Sequence, residues 1–155
     1  MKKILFVCTG NTCRSSMAQA LFEKILKQED INDIKVISAG TLAYSGQGAS
    51  LGAIESMKDK GICLQNHRAT HLSKELIEDS DLILTMTQNH KMQVLSIMPK
   101  ACEKTYTLKE YVEDDKYTID ISDPFGQSID VYKACGEEIE KSLKKLVKKM
   151  KAKRN

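Results

Sequence analysis

Two hydrophobic periods alternate along this chain. KILFV (3–7), IKVIS (34–38), DLILTM (81–86) and KTYTL (104–108) are short apolar runs of strand length. Between them the spacing changes to that of a helix. Met17, Leu21, Ile25 and Leu26 form a stripe in SSMAQALFEKILKQ, predicting a helix over 15–28. SLGAIESMKDKG predicts a second helix stopped by Gly61, and NHKMQVLSIM a third ended by Pro99. The last helix is expected from about Ile129 to Met150, with Tyr132, Ile139, Leu143, Leu146, Val147 and Met150 on one face.

Strands separated by helices imply parallel pairing through right-handed crossovers. The expected fold is therefore α/β: a three-layer open twisted sheet of about four parallel strands, with helices on both faces. Ligands of such sheets bind beyond the C-terminal ends of the strands. Cys8 stands at one of those ends. No repeat, linker or low-complexity segment interrupts residues 1–155, which read as a single domain.

The stretch after the first strand, CTGNTCR, changes the picture from architecture to chemistry. Gly10 and Asn11 tolerate positive φ, so a tight loop built on them can turn successive backbone N–H groups inward as an anion nest. The following helix adds its N-terminal N–H groups and partial positive charge. Arg14 supplies a planar charged fork suited to phosphate oxygens. These groups should lower the pKa of Cys8 and make it a thiolate. A thiolate in a phosphate-sized cradle points to attack on phosphorus through a phosphocysteine intermediate. Ser15 is placed to donate a hydrogen bond to the sulfur. The alternative for an isolated cysteine, an inert core residue, does not explain the loop around it. Asp123, in SDPFG, is the candidate general acid; Asp-Pro-x-Gly is also a turn signature, and both readings stand.

VCTGNTCRS, with its Cys-x5-Arg-Ser, and the distant DPFG resemble the low-molecular-weight protein tyrosine phosphatases. The likeness covers nearly the whole chain and includes Ser38-Ala39-Gly40 after the second strand. It implies that Cys8 is the nucleophile, Arg14 the phosphate clamp and Asp123 the general acid, around a phosphate-binding loop after strand 1. It implies that Asn11 shapes the loop, that Ser15 stabilises the thiolate, and that Ser38 and His67 brace the loop from behind; His67 also reads as an ordinary structural histidine. Thr9, Gly10, Asn11, Thr12, Cys13 and Ser15 would surround the phosphate. The family uses no cofactor and no metal, and His67 and His71 lack partners at metal-ligand spacing. Ser16 stands where the family usually has proline.

Within the family, Thr12 resembles the protein-arginine phosphatase branch, where tyrosine phosphatases carry a larger aliphatic residue. Phe125, followed directly by Gly126, offers one aromatic face that could stack on a guanidinium. TLKEY and GQSIDVY point the same way. The expected function is hydrolysis of phosphoarginine on proteins, with arginine-phosphorylated proteins as partners. Phosphotyrosine hydrolysis is the alternative. Arsenate reductase has a similar loop but needs two further cysteines close together, and Cys63 and Cys102 lie 39 residues apart. A phosphate-binding module without a general acid also stays open.

Composition adds limits. The chain has 155 residues, 41% hydrophobic and 29% charged, enough for an ordinary core. The five cysteines are odd in number and scattered, so no disulfide framework is implied and a reducing cytoplasm is expected. No signal peptide or membrane span is read. The net charge of +3 divides into −5 over residues 1–140 and +8 over 141–155. The basic end reads either as a solvated helix face or as a surface for an anionic partner. A monomer without nucleic-acid or membrane partners is expected. Cys13 reads either as a small filler behind the loop or as a redox partner able to protect Cys8.

Overall fold

The computed structural model describes residues 2–113 and 119–154. Four strands, β1 (Lys2–Cys8), β2 (Ile34–Gly40), β3 (Leu82–Thr85) and β4 (Thr105–Thr107), form one sheet in the order β2-β1-β3-β4. All neighbours are parallel. β1 is central, and that explains its uninterrupted apolar run: both of its faces are covered. Ile4, Phe6 and Cys8 join the core under α1 (Arg14–Gln28), α2 (Leu51–Lys58) and α6 (Ile129–Arg154). Leu5 and Val7 join a second, smaller core under α3 (Lys74–Asp79) and α4 (Gln88–Ile97).

The helices follow the sequence pattern closely where they are long. Met17, Leu21, Ile25 and Leu26 are all buried, as are Tyr132, Ile139, Leu143, Leu146 and Val147 of α6. Each fully buried aliphatic side chain contributes roughly 1.5–3 kcal/mol through its transfer from water. Gly61 ends the α2 region with φ 74°, a conformation that suits glycine.

Three short elements were not read from the sequence. α3 has six residues, too few for a period, and is marked only by its Ser73 cap. A 3-10 turn occupies Pro99–Glu103. KTYTL is also shorter as a strand than expected. The chain leaves the sheet at Thr107, which caps α5 (Leu108–Val112) through a capping box with Glu110. The acidic stretch 114–118 of the following loop lies outside the described residues.

The basic end of α6 lies against the body. Lys149 Nζ lies 4.0 Å from the Tyr111 ring centroid and donates to the Tyr111 carbonyl. Lys153 donates to the Tyr111 hydroxyl at 3.1 Å. Lys151 pairs with Glu29, and Arg154 with Asp33 at 2.5 Å. Part of the +8 excess is thus matched by acids at the end of α1 and on the approach to β2. No helix among the described residues is long and apolar enough to cross a membrane.

Candidate active site

β1 delivers Cys8 to the C-terminal edge of the sheet, and the chain turns at once into α1. Asn11 makes the turn possible, with φ 58°. Gly10, which the sequence reading gave the same role, keeps a negative φ; the loop needs only one left-handed residue. Asn11 is fully buried and its side chain is saturated. Nδ2 donates to Ser15 Oγ at 2.8 Å and to Ser38 Oγ at 2.9 Å, while Oδ1 accepts from Thr70 N at 2.9 Å. His67 Nε2 donates to the Asn11 carbonyl at 2.7 Å, and burial pushes the His67 pKa down.

These bonds orient Ser15. Its oxygen accepts from Asn11 and lies 2.8 Å from Cys8 Sγ, with the Ala39 carbonyl a more distant acceptor at 3.5 Å. Asn11 N–H also reaches the sulfur at 3.3 Å. The thiol does not follow the electrostatic expectation alone. Burial, the largest influence, pushes the Cys8 pKa up; the hydrogen bonds from Ser15 and Asn11 and the charge of Arg14 pull it down, and burial prevails. No side chain caps α1, so its first-turn N–H groups keep no side-chain acceptor of their own.

Arg14 is 5% exposed. Nη1 donates to the carbonyl of Ile121 at 2.9 Å, and Nη2 lies 3.7 Å from Asp123 Oδ2. The distant SDPFG segment therefore does reach the loop. Asp123 serves its turn at the same time: Oδ1 accepts from Phe125 N at 3.1 Å, and Gly126 takes φ 77°. One oxygen of this aspartate thus serves the turn and the other faces Arg14. Thr12 and Cys13 complete the wall. The Cys13 sulfur lies 3.2 Å from Ser50 Oγ and 3.4 Å from Tyr132 Oη.

Cys8, Thr9, Gly10, Thr12, Cys13, Arg14, Asp123 and Phe125 line a single cavity of about 310 Å³, with Asn11 and Ser15 packed behind it. The phosphotyrosine protein phosphatase family model of low molecular weight matches residues 3–155. The chain belongs to the low molecular weight phosphotyrosine protein phosphatase family.

Family relatives differ in the substrate their names declare. The chain is 45% identical to the protein-arginine-phosphatase of Bacillus subtilis over 96% of each chain. It is 34% identical to a probable low molecular weight protein-tyrosine-phosphatase of Ralstonia nicotianae over 98% of each. Among solved structures it is similar to a YwlE mutant from Bacillus subtilis, with TM-score 0.91 and 43% identity, covering 97% of this chain and 99% of that one. It is equally close in identity to the YwlE arginine phosphatase whose active-site serine, in a cysteine-to-serine mutant, is phosphorylated (TM-score 0.90, covering 96% and 95%). The sheet, the helices on both faces and the loop after β1 are those of the family.

The family fold also places residues that the sequence did not single out. Leu42, Tyr44 and Gln47 line the cavity from the loop after β2. The rule that strand C-terminal ends build sites could have flagged them. Gly40 matters by closeness: a Cβ there would lie 2.4 Å from Thr9 O and 2.8 Å from Asn11 N. His90, on the first turn of α4, contacts Thr9, with no local signal to reveal it. Among the described residues no group of side chains could hold a metal ion.

Proposed function

We propose that this chain is a cysteine-dependent protein phosphatase that hydrolyses phosphoarginine on proteins through a phosphocysteine intermediate. The observation that carries this reading is the approach of Asp123 to within 3.7 Å of Arg14 across the cavity above Cys8. A nucleophile, a clamp and an acid then face one phosphate-sized volume. The likeness to two protein-arginine phosphatases, at 45% and 43% identity, supports the choice of substrate. Thr12 supports it too, since a small wall with a hydroxyl leaves room for a planar cation.

In this reading the Cys8 thiolate attacks phosphorus in line with the N–P bond. The loop N–H groups of residues 9–15 and Arg14 hold the equatorial oxygens as charge develops on them. The N–P bond breaks with its electron pair on the guanidino nitrogen, which takes a proton from Asp123. Phe125, 69% exposed at the rim, stacks on the departing guanidinium. Asp123, now a carboxylate, draws a proton from water as that water attacks phosphorus. The S–P bond breaks, phosphate leaves and the thiolate returns. Ser15, the Asn11 N–H and Arg14 favour the ionised form of Cys8 that burial disfavours.

Cys13 is a redox partner in the same reading. Peroxide oxidises Cys8 to the sulfenic acid; the Cys13 thiol displaces water and forms a disulfide that cellular thiols reduce. The enzyme acts as a cytoplasmic monomer on arginine-phosphorylated proteins, opposite a protein-arginine kinase.

The test is a comparison of kcat/KM on phosphoarginine and phosphotyrosine peptides. The parent should prefer phosphoarginine, and Thr12→Ile should shift the ratio toward phosphotyrosine. A parent that prefers phosphotyrosine overturns the substrate assignment.

A further inference from the structure

His90 takes no part in the scheme above, yet it is 3% exposed and both of its ring nitrogens are engaged. Nε2 lies 2.8 Å from Thr9 Oγ1, in the residue directly after Cys8. Nδ1 lies 3.0 Å from Thr87 Oγ1. Thr87 is the N-cap of α4, and its oxygen already accepts the backbone N–H of His90 at 3.2 Å.

The protons of this chain of three side chains can be counted. The Thr87 hydroxyl has one proton to place, and His90 Nδ1 is the acceptor beside it. Placing it there puts the imidazole proton on Nε2, which donates to Thr9 Oγ1. Thr9 then keeps its own hydroxyl proton for the cavity that it lines. The opposite tautomer consumes the Thr9 proton and leaves that of Thr87 without this acceptor. Each tautomer leaves one hydroxyl proton without a protein acceptor, that of Thr9 or that of Thr87, and an anion in the cavity would select the first by accepting the Thr9 proton.

The charges around the ring agree. Burial first, and then Arg14, hold the His90 pKa down at about 4, against the opposing pull of Asp120 and Asp123, so the ring is neutral near neutral pH. The same turn is fixed to the acid loop: Gln88 N–H donates to Asp120 Oδ1 at 2.8 Å, and Ile121 N–H to Met86 O at 2.8 Å. His90 therefore sits on a rigid mount between the cradle and Asp123.

We propose that His90 is a positioning residue for the phosphate: neutral and protonated on Nε2, it holds the Thr9 hydroxyl as a hydrogen-bond donor to a phosphoryl oxygen in the cradle. The inference rests on the phosphatase reading for the presence of phosphate there, and is independent of whether arginine or tyrosine carries it.

Inorganic phosphate is the probe, measured by titration calorimetry and as a competitive inhibitor. His90→Leu and Thr9→Val should each weaken its binding roughly tenfold or more, the scale of one hydrogen bond to a charged group. The double variant should be no weaker than the worse single variant, because both remove the same bond. His90→Gln, whose amide can donate to Thr9, should recover most of the affinity; a residue needed only for packing would show no such rescue. Thermal unfolding reports folding, and if His90→Leu does not fold, Thr9→Val and His90→Gln carry the test. Unchanged affinity in folded His90→Leu or in Thr9→Val, additive losses, or a glutamine variant weakened tenfold overturns the proposal. A parent that does not bind phosphate overturns the cradle and this proposal with it. A preference for phosphotyrosine peptides, by contrast, touches only the substrate assignment.

Discussion

His67 Nε2 donates to the backbone carbonyl of Asn11 across 2.7 Å, joining residues 56 positions apart. Asn11 is the one left-handed residue of the cradle, and the peptide that His67 grips is the one that follows it into Thr12. The conformation is over-determined from outside: His67 and Thr70 come from the loop before α3, and Ser38 from β2.

Asn11→Ala should therefore damage both fold and chemistry. It places a Cβ-bearing residue without a polar side chain at φ 58° and leaves Ser38 and Thr70 N–H without their partner. A loss of about 2–4 kcal/mol is expected by denaturant unfolding. Asn11→Gly, which relieves the φ but not the hydrogen bonds, should recover only part of it. Full recovery by glycine would show that the side-chain bonds contribute nothing.

Ser15→Ala should move the acid limb of the kcat/KM pH profile. The hydroxyl lowers the Cys8 pKa by stabilising the thiolate. Removing it raises that pKa, so the thiolate forms only at higher pH and the acid limb shifts upward. Ser15→Thr should keep the parent profile. A limb that stays in place in Ser15→Ala means that Ser15 does not hold the proton balance at sulfur.

Asp123→Asn should lower kcat by about 10²–10⁴ on phosphoarginine peptides. Inorganic phosphate should bind at least as tightly, because a carboxylate no longer faces the anion. The loss should shrink on an aryl phosphate whose leaving group needs no proton. An unchanged kcat removes Asp123 from the chemistry and leaves it only the turn.

Gly40→Ala should fail through the backbone of the cradle. The added methyl would press on Thr9 O and Asn11 N, neither of which can rotate away. A destabilisation of about 1–3 kcal/mol is expected from overpacking, together with weakened phosphate binding. Thermal unfolding and phosphate titration measure the two effects. Parent-like values in both would mean that β2 and the loop after β1 can separate without cost.

What could be read from the sequence was what is contiguous. Cys8, Asn11, Arg14 and Ser15 lie within eight residues, so their chemistry shows as a motif, and the long stripes of α1 and α6 show as a period. What sequence hides is meeting at a distance. Leu42 and Tyr44 enter the cavity only because β2 ends beside β1, and His90 meets Thr9 only because β3 lies on the other side. Charge around Cys8 was legible and its burial was not, which is why the expected fall in its pKa met an opposing push. Gly10 shows the converse error: a permissive residue does not reveal whether the backbone uses its freedom.

The depth of the cavity has a consequence of its own. The sulfur of Cys8 lies on the floor, 2% exposed, while Leu42, Tyr44 and Phe125 stand at the mouth, each more than half exposed. Arg14 ties the floor to the segment that carries Asp123 through the Ile121 carbonyl. In the proposed mechanism a phosphorylated side chain must pass this rim before its phosphorus meets sulfur. In the phosphatase reading proposed above, the exposed rim and the buried sulfur make the reach of the phosphorylated side chain part of what the site selects.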